Sequence, residues 1–411
     1  MRRKMGVVFA ACAVAGATAV PAQTAAAHTP GGELDSYIVV LKSGIDAASV
    51  AQQQMGALGG TLGHVYSSAL NGYSAKLTEV ARQQLAANPA VDYIQRDRPV
   101  HATAQSTPTG IDRADADQSP TAAIDGVDQR VDADVAVIDT GADMDHPDLN
   151  VYEAGAKNCS TLSLSPEDQH GHGTHVAGTI GAVDDTNGVV GMAPGARIWP
   201  VKVLNALGSG TTSDVVCGID YVAAHSDQIE VANMSLGGEG SDDGDCGNTN
   251  GDAEHQAICS AVAAGVTFVV AAGNNSADAK DFVPAAYDEV ITVSALADFN
   301  GQPGGGAAPT CRNDVDDTFA DFSNYGEDVD VIAPGVCIES TWLDGGYNTI
   351  SGTSMASPHA AGAAALYTAN NPSASPEQVK RALQNAGTAD WTFPSEDRDG
   401  IQEPLLNVGG F

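Results

Sequence analysis

The chain has 411 residues, and its 52 aspartates and glutamates outnumber its 18 lysines and arginines, which gives a formal net charge of −34. Such an acidic chain repels nucleic acid and anionic membrane surfaces, so neither is expected as a partner. Beyond the N-terminal segment no stretch reaches the ~18 consecutive apolar residues that a membrane-spanning helix needs, and a soluble protein is predicted.

The N-terminal segment has the organisation of a secretory signal peptide. Residues 1–4 include three basic residues, residues 5–20 are apolar, and the small residues 25–27 provide a cleavage point. We expect residues 1–27 to be removed during export and the mature protein to be secreted and extracellular. Arg2-Arg3 also fits twin-arginine export, although the thin consensus around this pair favours the Sec route.

Residues 36–98 have the pattern of a small α+β domain. Apolar periodicity predicts strands at 37–42, 61–66, 72–77 and 91–95, and helices at 47–58 and 79–87. Two βαβ units of this size are typical of a ferredoxin-like domain. Residues 100–109 are rich in Ala, Thr, Ser and Pro and lack apolar periodicity, so they predict an exposed linker.

The region after the linker alternates between short β-rich runs and helical patterns. The predicted strands are 134–138, 197–203, 230–234, 266–271, 290–294 and 329–332, and the predicted helices are 172–182, 213–225, 253–264 and 354–370. A further helix is marked by the capping serine and the proline of Ser375-Pro376-Glu377. The alternation predicts an α/β fold, with a mostly parallel sheet and helices on both faces.

Six cysteines remain once the signal peptide, which contains Cys12, is set aside: Cys159, Cys217, Cys246, Cys259, Cys311 and Cys337. An even number in an exported chain indicates disulfides, and the absence of a Cys-x-x-Cys pair argues against zinc ligation. Six cysteines allow 15 pairings. Proximity favours Cys246 with Cys259 and Cys311 with Cys337, and the sequence leaves the pairing open.

Three segments supply the groups that a serine hydrolase uses. Asp139 follows an apolar strand, so its carboxylate is expected at the carboxyl end of the sheet. His172 begins a helical stretch, and Ser354 stands where a glycine-rich turn enters a helix. A serine hydroxyl becomes nucleophilic when a base lies within hydrogen-bond reach and a carboxylate orients that base. We therefore predict the roles of orienting carboxylate, general base and nucleophile for these three residues.

Two other interpretations fit these segments less well. Asp139-Thr140-Gly141 is also the signature of aspartic proteases, but such enzymes need two of these loops and the chain holds one. His170, His172 and His175 are enough imidazoles for a zinc site, but no His-Glu-x-x-His pattern or suitable acid accompanies them.

The order Asp, His, Ser and the three sequence blocks resemble the subtilase family, and the resemblance runs from about residue 104 to residue 408. It implies a subtilisin-like serine endopeptidase that cleaves protein and peptide substrates through an acyl-enzyme and acts as a monomer. It also implies that residues 28–103 are a propeptide with its linker, which templates folding and inhibits the enzyme, and that residues 104–411 form the catalytic domain. Self-cleavage is then expected between residues 100 and 104. A permanent N-terminal binding domain is the alternative for residues 36–98.

The resemblance also assigns roles in binding and in stabilising charge. Asn274, which closes a buried apolar run, matches the amide donor of the oxyanion hole. The two segments that match those pairing with the substrate main chain are Gly208-Ser209-Gly210 and Ser235-Leu236-Gly237. The residues that match the wall of the first specificity pocket are Leu236, Ala271, Gly273 and Phe282. The wall residues imply an apolar preference.

Calcium is the cofactor that the resemblance implies, as a structural ion, and no catalytic metal is expected. Gln105, Asp148 and Asp185 match positions at which subtilisins place oxygen ligands around one calcium ion. Three aspartates in an apparent insertion leave two interpretations open, a further calcium site or a solvated acidic loop: Asp314, Asp316 and Asp317.

Two alternative functions stay open at this point. Polar insertions near residues 239–255 and 301–321 would suit a maturation protease with a single partner substrate. An inactive subtilase scaffold would only bind peptides, but the presence of all four predicted catalytic residues argues against it.

Overall fold

The computed structural model describes residues 34–97, 105–393 and 398–411. The chain divides into two compact units, Met1–Ala102 and Thr103–Phe411. The predicted signal peptide and the predicted cleavage region at residues 100–104 lie outside the described residues. Among the residues that are described, no helix combines the length and the apolar character that crossing a membrane requires.

Within residues 34–97, the described part of the first unit, there are four strands and two helices: β1 (Asp35–Leu41), α1 (Ala47–Leu58), β2 (Thr61–Tyr66), β3 (Gly72–Leu77), α2 (Glu79–Ala86) and β4 (Val91–Arg96). The sheet order is β2-β3-β1-β4, and all neighbouring strands are antiparallel. Asp46 and Thr78 cap the two helices by accepting hydrogen bonds from backbone N–H groups of the first turns. This topology confirms the predicted ferredoxin-like domain.

The α-helices and strands described in the second unit are, in chain order, α3 (Thr109–Arg113), β5 (Asp134–Asp139), β6 (Lys157–Asn158), α4 (His172–Gly181), β7 (Arg197–Lys202), α5 (Thr212–Ala224), β8 (Val231–Met234), β9 (Gly238–Glu239), α6 (Ala253–Ala263), β10 (Thr267–Ala271), β11 (Phe282–Val283), β12 (Ile291–Ala297), β13 (Thr318–Phe319), β14 (Val331–Pro334), β15 (Ile338–Trp342), β16 (Gly346–Ile350), α7 (Thr353–Asn370) and α8 (Pro376–Ala386). The central sheet has the order β13-β12-β10-β8-β5-β7-β6, with β14 paired to β12. Its pairs are parallel except that of β12 with β13.

The parallel strands are buried on both faces, which explains their uninterrupted apolar sequences. In β5, Val135 and Val137 belong to one core cluster, while Ala136 and Ile138 belong to another. The first cluster also contains residues of α4, α7 and α8, and the second contains residues of α5 and α6. The prediction of helices on both faces of a mostly parallel sheet is therefore confirmed.

Helix α7 is buried along most of its length, and its small residues allow this close packing. A Cβ on Gly362 would lie 2.4 Å from the Cβ of Met192 and 3.0 Å from the carbonyl oxygen of Ile180. The helix therefore passes through the core with its N-terminus, which carries Ser354, held in place by the surrounding packing.

The structure pairs the six cysteines as Cys159–Cys217, Cys246–Cys259 and Cys311–Cys337. Two of these pairs are those that proximity favoured. The hairpin of β15 and β16 was not predicted from the sequence, although it packs directly against α4.

Candidate active site

The carboxyl end of β5 places Asp139 beside His172, the first residue of α4. Both carboxylate oxygens of Asp139 lie within hydrogen-bond distance of His172 Nδ1, at 2.8 and 2.9 Å. Asp139 is fully buried and also accepts a hydrogen bond from the backbone N–H of Thr140. Because a carboxylate can only accept hydrogen bonds, Nδ1 of His172 carries a proton and Nε2 is left to accept one. Burial disfavours the charged imidazole, but the charge and hydrogen bond of Asp139 outweigh it and raise the pKa of His172.

The first turn of α4 is held by Asp168, which the sequence analysis missed. This buried carboxylate accepts hydrogen bonds from the backbone N–H groups of His170 and Gly171, and from both the backbone and the hydroxyl of Thr174. Acids are favoured at helix N-termini because the free N–H groups and the helix dipole attract them. The sequence signal that could have identified Asp168 is an acid shortly before the predicted helix. By holding the first turn of α4, Asp168 positions His172.

Ser354 lies in the first turn of α7, and its hydroxyl donates a hydrogen bond to the carbonyl oxygen of Ser235 at 3.2 Å. In return, the hydroxyl of Ser235 donates to the carbonyl oxygen of Ser354 at 2.8 Å. Within the described parts of the chain, no hydrogen bond joins Ser354 to His172. Catalytic hydrogen bonds are often long or poorly aligned in enzymes without substrate. For Ser354 to form a hydrogen bond with His172, its hydroxyl must rotate away from the carbonyl oxygen of Ser235.

Asn274 is oriented by Thr353, a residue that the sequence analysis did not single out. Its Oδ1 accepts hydrogen bonds from both the backbone N–H of Thr353, at 2.8 Å, and the hydroxyl of Thr353, at 2.9 Å. The Thr353 hydroxyl in turn accepts a bond from the backbone N–H of Gly273. With its oxygen fixed in this way, the side chain of Asn274 lines the same recess as Ser354.

The three histidines of the His-Gly-His-Gly-Thr-His segment have separate environments. Nε2 of His175 is 3.0 Å from the carbonyl oxygen of Ile338 and 3.2 Å from that of Asn348. Burial lowers the pKa of His175 to about 3, so the ring is neutral and donates a hydrogen bond from Nε2. His170 instead lines the cleft beside His172. The arrangement fits a structural role for His175.

Two adjoining recesses form a continuous cleft beside His172 and Ser354. The larger has a volume of about 600 Å³, the smaller has one of about 460 Å³, and both are lined by the segment around Leu236. All nine residues predicted to bind substrate line this cleft. The larger recess is lined by Gly208, Ser209, Gly210, Ser235, Leu236 and Gly237. The smaller recess is lined by Ser235, Leu236, Gly237, Ala271, Gly273 and Phe282. The smaller recess also contains Asn274 and Ser354.

Gln105 and Asp148 approach the same loop, which connects α4 to β7. Nε2 of Gln105 donates to the carbonyl oxygens of Val183 and Val189, at 2.7 and 3.2 Å. Asp148 accepts hydrogen bonds on Oδ2, while its buried Oδ1 has no hydrogen-bond partner among the described residues. Burial raises the pKa of Asp148 to about 7. Asp185, in the same loop, accepts a bond from the backbone N–H of Asn187.

The three aspartates of the acidic insertion have buried side chains, although most of the insertion is exposed. Asp316 accepts hydrogen bonds from the backbone N–H groups of Phe299 and Ala307, and Asp317 pairs with Arg113 at 3.0 Å. Asp314 is 8% exposed and pairs with Arg312 at 2.9 Å. The three carboxylates therefore have internal partners that organise the insertion.

The chain is similar to known proteins along nearly its whole length. Residues 132–403 match the model of the Subtilase family, and residues 36–103 match that of Peptidase inhibitor I9. Alkaline serine exoprotease A of Vibrio alginolyticus is 38% identical over 332 residues, which are 78% of this chain and 55% of that protein. Subtilisin NAT of Bacillus subtilis subsp. natto is 36% identical over 357 residues, which are 86% of this chain and 85% of that protein. A solved structure, described as a cold adapted subtilisin-like serine proteinase, matches with a TM-score of 0.55 and 33% identity, and the match covers 73% of this chain and 97% of that one.

Proposed function

Since this chain belongs to the subtilase family and is a subtilisin-like serine endopeptidase with an N-terminal I9 domain, we propose that Asp139, His172 and Ser354 are its catalytic triad. The observation that carries this assignment is the contact of both Asp139 oxygens with His172 Nδ1. This contact holds the imidazole in the tautomer whose Nε2 accepts a proton.

The reaction begins when Ser354 Oγ attacks the carbonyl carbon of the scissile peptide bond. His172 takes the hydroxyl proton on Nε2, and Asp139 stabilises the imidazolium that forms. The tetrahedral intermediate collapses as His172 returns the proton to the leaving amine, which leaves an acyl group on Ser354. Water, activated by the same imidazole, then releases the acyl group and restores the hydroxyl.

The negative charge on the carbonyl oxygen is stabilised by Asn274 Nδ2 and by the backbone N–H of Ser354. The amide of Asn274 is held by two hydrogen bonds from Thr353 before substrate binds. The N–H of Ser354 lies in the first turn of α7, where N–H groups have no partner within the helix. A donor fixed in advance stabilises developing charge without reorganisation during the reaction.

The substrate lies extended in the cleft and pairs its main chain with residues 208–210 and 235–237, as in strand addition. Leu236, Ala271 and Phe282 supply the apolar wall of the smaller recess, beside Ser354. This recess fits a medium-sized apolar side chain on the substrate residue whose carbonyl group is attacked.

The precursor is exported and matured by its own active site. Residues 1–27 are the signal peptide, residues 28–103 are the propeptide and linker, and residues 104–411 are the secreted catalytic domain. The I9 match supports the propeptide assignment, and the signal-peptide pattern of residues 1–27 supports export. The propeptide acts as intramolecular chaperone and inhibitor, and the mature enzyme is a monomer.

Gln105, Asp148 and Asp185 would hold a structural calcium ion. The carbonyl oxygens of Val183 and Val189 would also ligate the ion once the Gln105 amide turns its Oε1, in place of Nε2, toward them. The buried Oδ1 of Asp148, which has no partner among the described residues, and the carbonyls that converge near Gln105 support this site. Oxygen donors of this kind are the ligands that calcium prefers. The ion would tie the loop after α4 to the start of the catalytic domain, and it takes no part in the chemistry.

The test of the triad is the variant Ser354→Ala, compared with Ser241→Ala, which changes an exposed serine. We expect the first variant to accumulate as an unprocessed precursor that a serine-directed phosphonate does not label, whereas the second matures and is labelled normally. Self-cleavage of the Ser354→Ala protein at the normal rate would refute the assignment.

A further inference from the structure

The larger recess of the cleft contains a carboxylate without a partner. Glu254 lies in the first turn of α6, is 8% exposed, and is one of the residues that line the recess. Its backbone N–H donates to Asp252, the cap of the helix. Its side chain makes no hydrogen bond and no ion pair with any residue that the structure describes.

The surroundings of Glu254 contain negative charge and no fixed cation. Asp252 lies in the same turn, and Glu239 lines the same recess, which is lined by no lysine or arginine among the described residues. Burial, reinforced by the charge of Asp252, raises the pKa of Glu254 to about 7. A buried carboxylate is costly unless it is paired, so a cation that enters the recess gains more from Glu254 than it would from a hydrated surface acid.

The remaining lining of the recess suits a long amphipathic side chain. Leu204, Val215 and Val283 offer apolar contacts, which match the methylene stem of lysine or arginine. The recess is bordered by residues 208–210 and 235–237, the two segments proposed to pair with the substrate main chain. A substrate side chain that points from that main chain therefore has access to the Glu254 carboxylate.

We propose that Glu254 makes the larger recess a subsite for a lysine or arginine side chain of the substrate. This proposal rests on the proposed peptidase function and adds a basic substrate class to it. Glu239, which lines the same recess but is exposed, contributes little, because solvent screens its charge.

The experiment compares peptide substrates that differ only in lysine or norleucine, placed in turn at each position around the scissile bond. Norleucine keeps the stem of lysine and removes its charge. The ratio of the two kcat/KM values is measured at pH 8.5, where the Glu254 carboxyl is ionised, for the mature enzyme, Glu254→Gln and the control Glu239→Gln.

We expect one position at which the mature enzyme prefers lysine about tenfold, as a charge-assisted hydrogen bond in a recess of this kind provides. Glu254→Gln should reduce this ratio to about 1 and change kcat/KM for the norleucine peptide less than about threefold, whereas Glu239→Gln should leave the ratio within about twofold.

The absence of any position with a lysine preference in the mature enzyme would overturn the proposal, and this measurement does not depend on the variants folding. A preference that survives in Glu254→Gln would overturn it as well. In both cases the norleucine peptides would still be cleaved, so failure of the subsite is distinct from failure of the peptidase assignment, which would abolish cleavage of every peptide.

Discussion

Replacing Thr353 by valine tests whether the oxyanion donor is positioned by a hydrogen bond behind it. Valine keeps the shape of threonine and removes the hydroxyl that bonds Asn274 Oδ1 at 2.9 Å. The backbone N–H of Thr353 still donates to the same oxygen at 2.8 Å, so the amide loses one of two restraints. A hydrogen bond of this kind contributes about 1 kcal/mol, which corresponds to a decrease of about fivefold in kcat. KM should not change, because Asn274 acts on charge that exists only in the transition state.

Asn274→Ala removes the donor itself and sets the upper limit of the effect. Removal of one oxyanion-hole donor in a subtilisin costs ~2.7–4 kcal/mol, or about 10² to 10³ in kcat, and we expect a loss of the same order here. If Thr353 acts only through Asn274, the double variant should be no slower than Asn274→Ala alone. Steady-state kinetics on one peptide substrate supply all four values of the cycle. Additive losses, or a loss in Thr353→Val that lies in KM, would refute the reasoning.

Three further predictions concern other parts of the catalytic domain. In the proposed mechanism the neutral imidazole of His172 is the base, and Asp139 raises the pKa of this imidazole. Asp139→Asn should therefore move the acidic limb of the kcat/KM profile to lower pH and reduce kcat by about 10⁴-fold. An unmoved limb would contradict the assignment. At the proposed calcium site the ion would displace the proton from Asp148, whose pKa without the ion is about 7. EDTA should therefore lower the melting temperature at pH 8 and have little effect at pH 5.5. Equal effects at both pH values, or sensitivity that persists in Asp148→Asn, would argue against the site. Arg113→Met leaves Asp317 buried without its cation. Denaturation of the phosphonate-inhibited enzyme should show that the free energy of unfolding falls by about 3–5 kcal/mol. A decrease below about 1 kcal/mol would show that the pair is dispensable.

The sequence predicted the elements whose patterns are local. The parallel strands are continuous apolar runs and the helices have clear periodicity or caps, so predicted and observed bounds differ by a few residues at most. The β15–β16 hairpin escaped prediction because its strands mix buried and exposed positions, and its place is set by contacts with α4 far away in sequence.

The same difference between local and distant interactions applies to the candidate site. Asp139, His172, Ser354 and Asn274 stand in recognisable segments, so the sequence identifies them. Thr353 is adjacent to Ser354, but its proposed importance comes from a contact with Asn274, which lies 79 positions away in the sequence. No pattern within a single segment reports such a pairing.

The topology of the sheet explains why these groups meet and why simple peptide binding does not account for them. Asp139 is the last residue of β5, Ser235 follows the neighbouring strand β8, and Asn274 lies in the loop after β10, on the other side of β8. Because the three strands are parallel, their carboxyl ends lie at one edge of the sheet, and α7 packs on β8 and β10 and carries Ser354. A scaffold that only bound peptides would need the two backbone segments of the cleft. It would have no use for a buried carboxylate aligned on an imidazole, or for an amide held by two hydrogen bonds to its oxygen in the recess that Ser354 also lines.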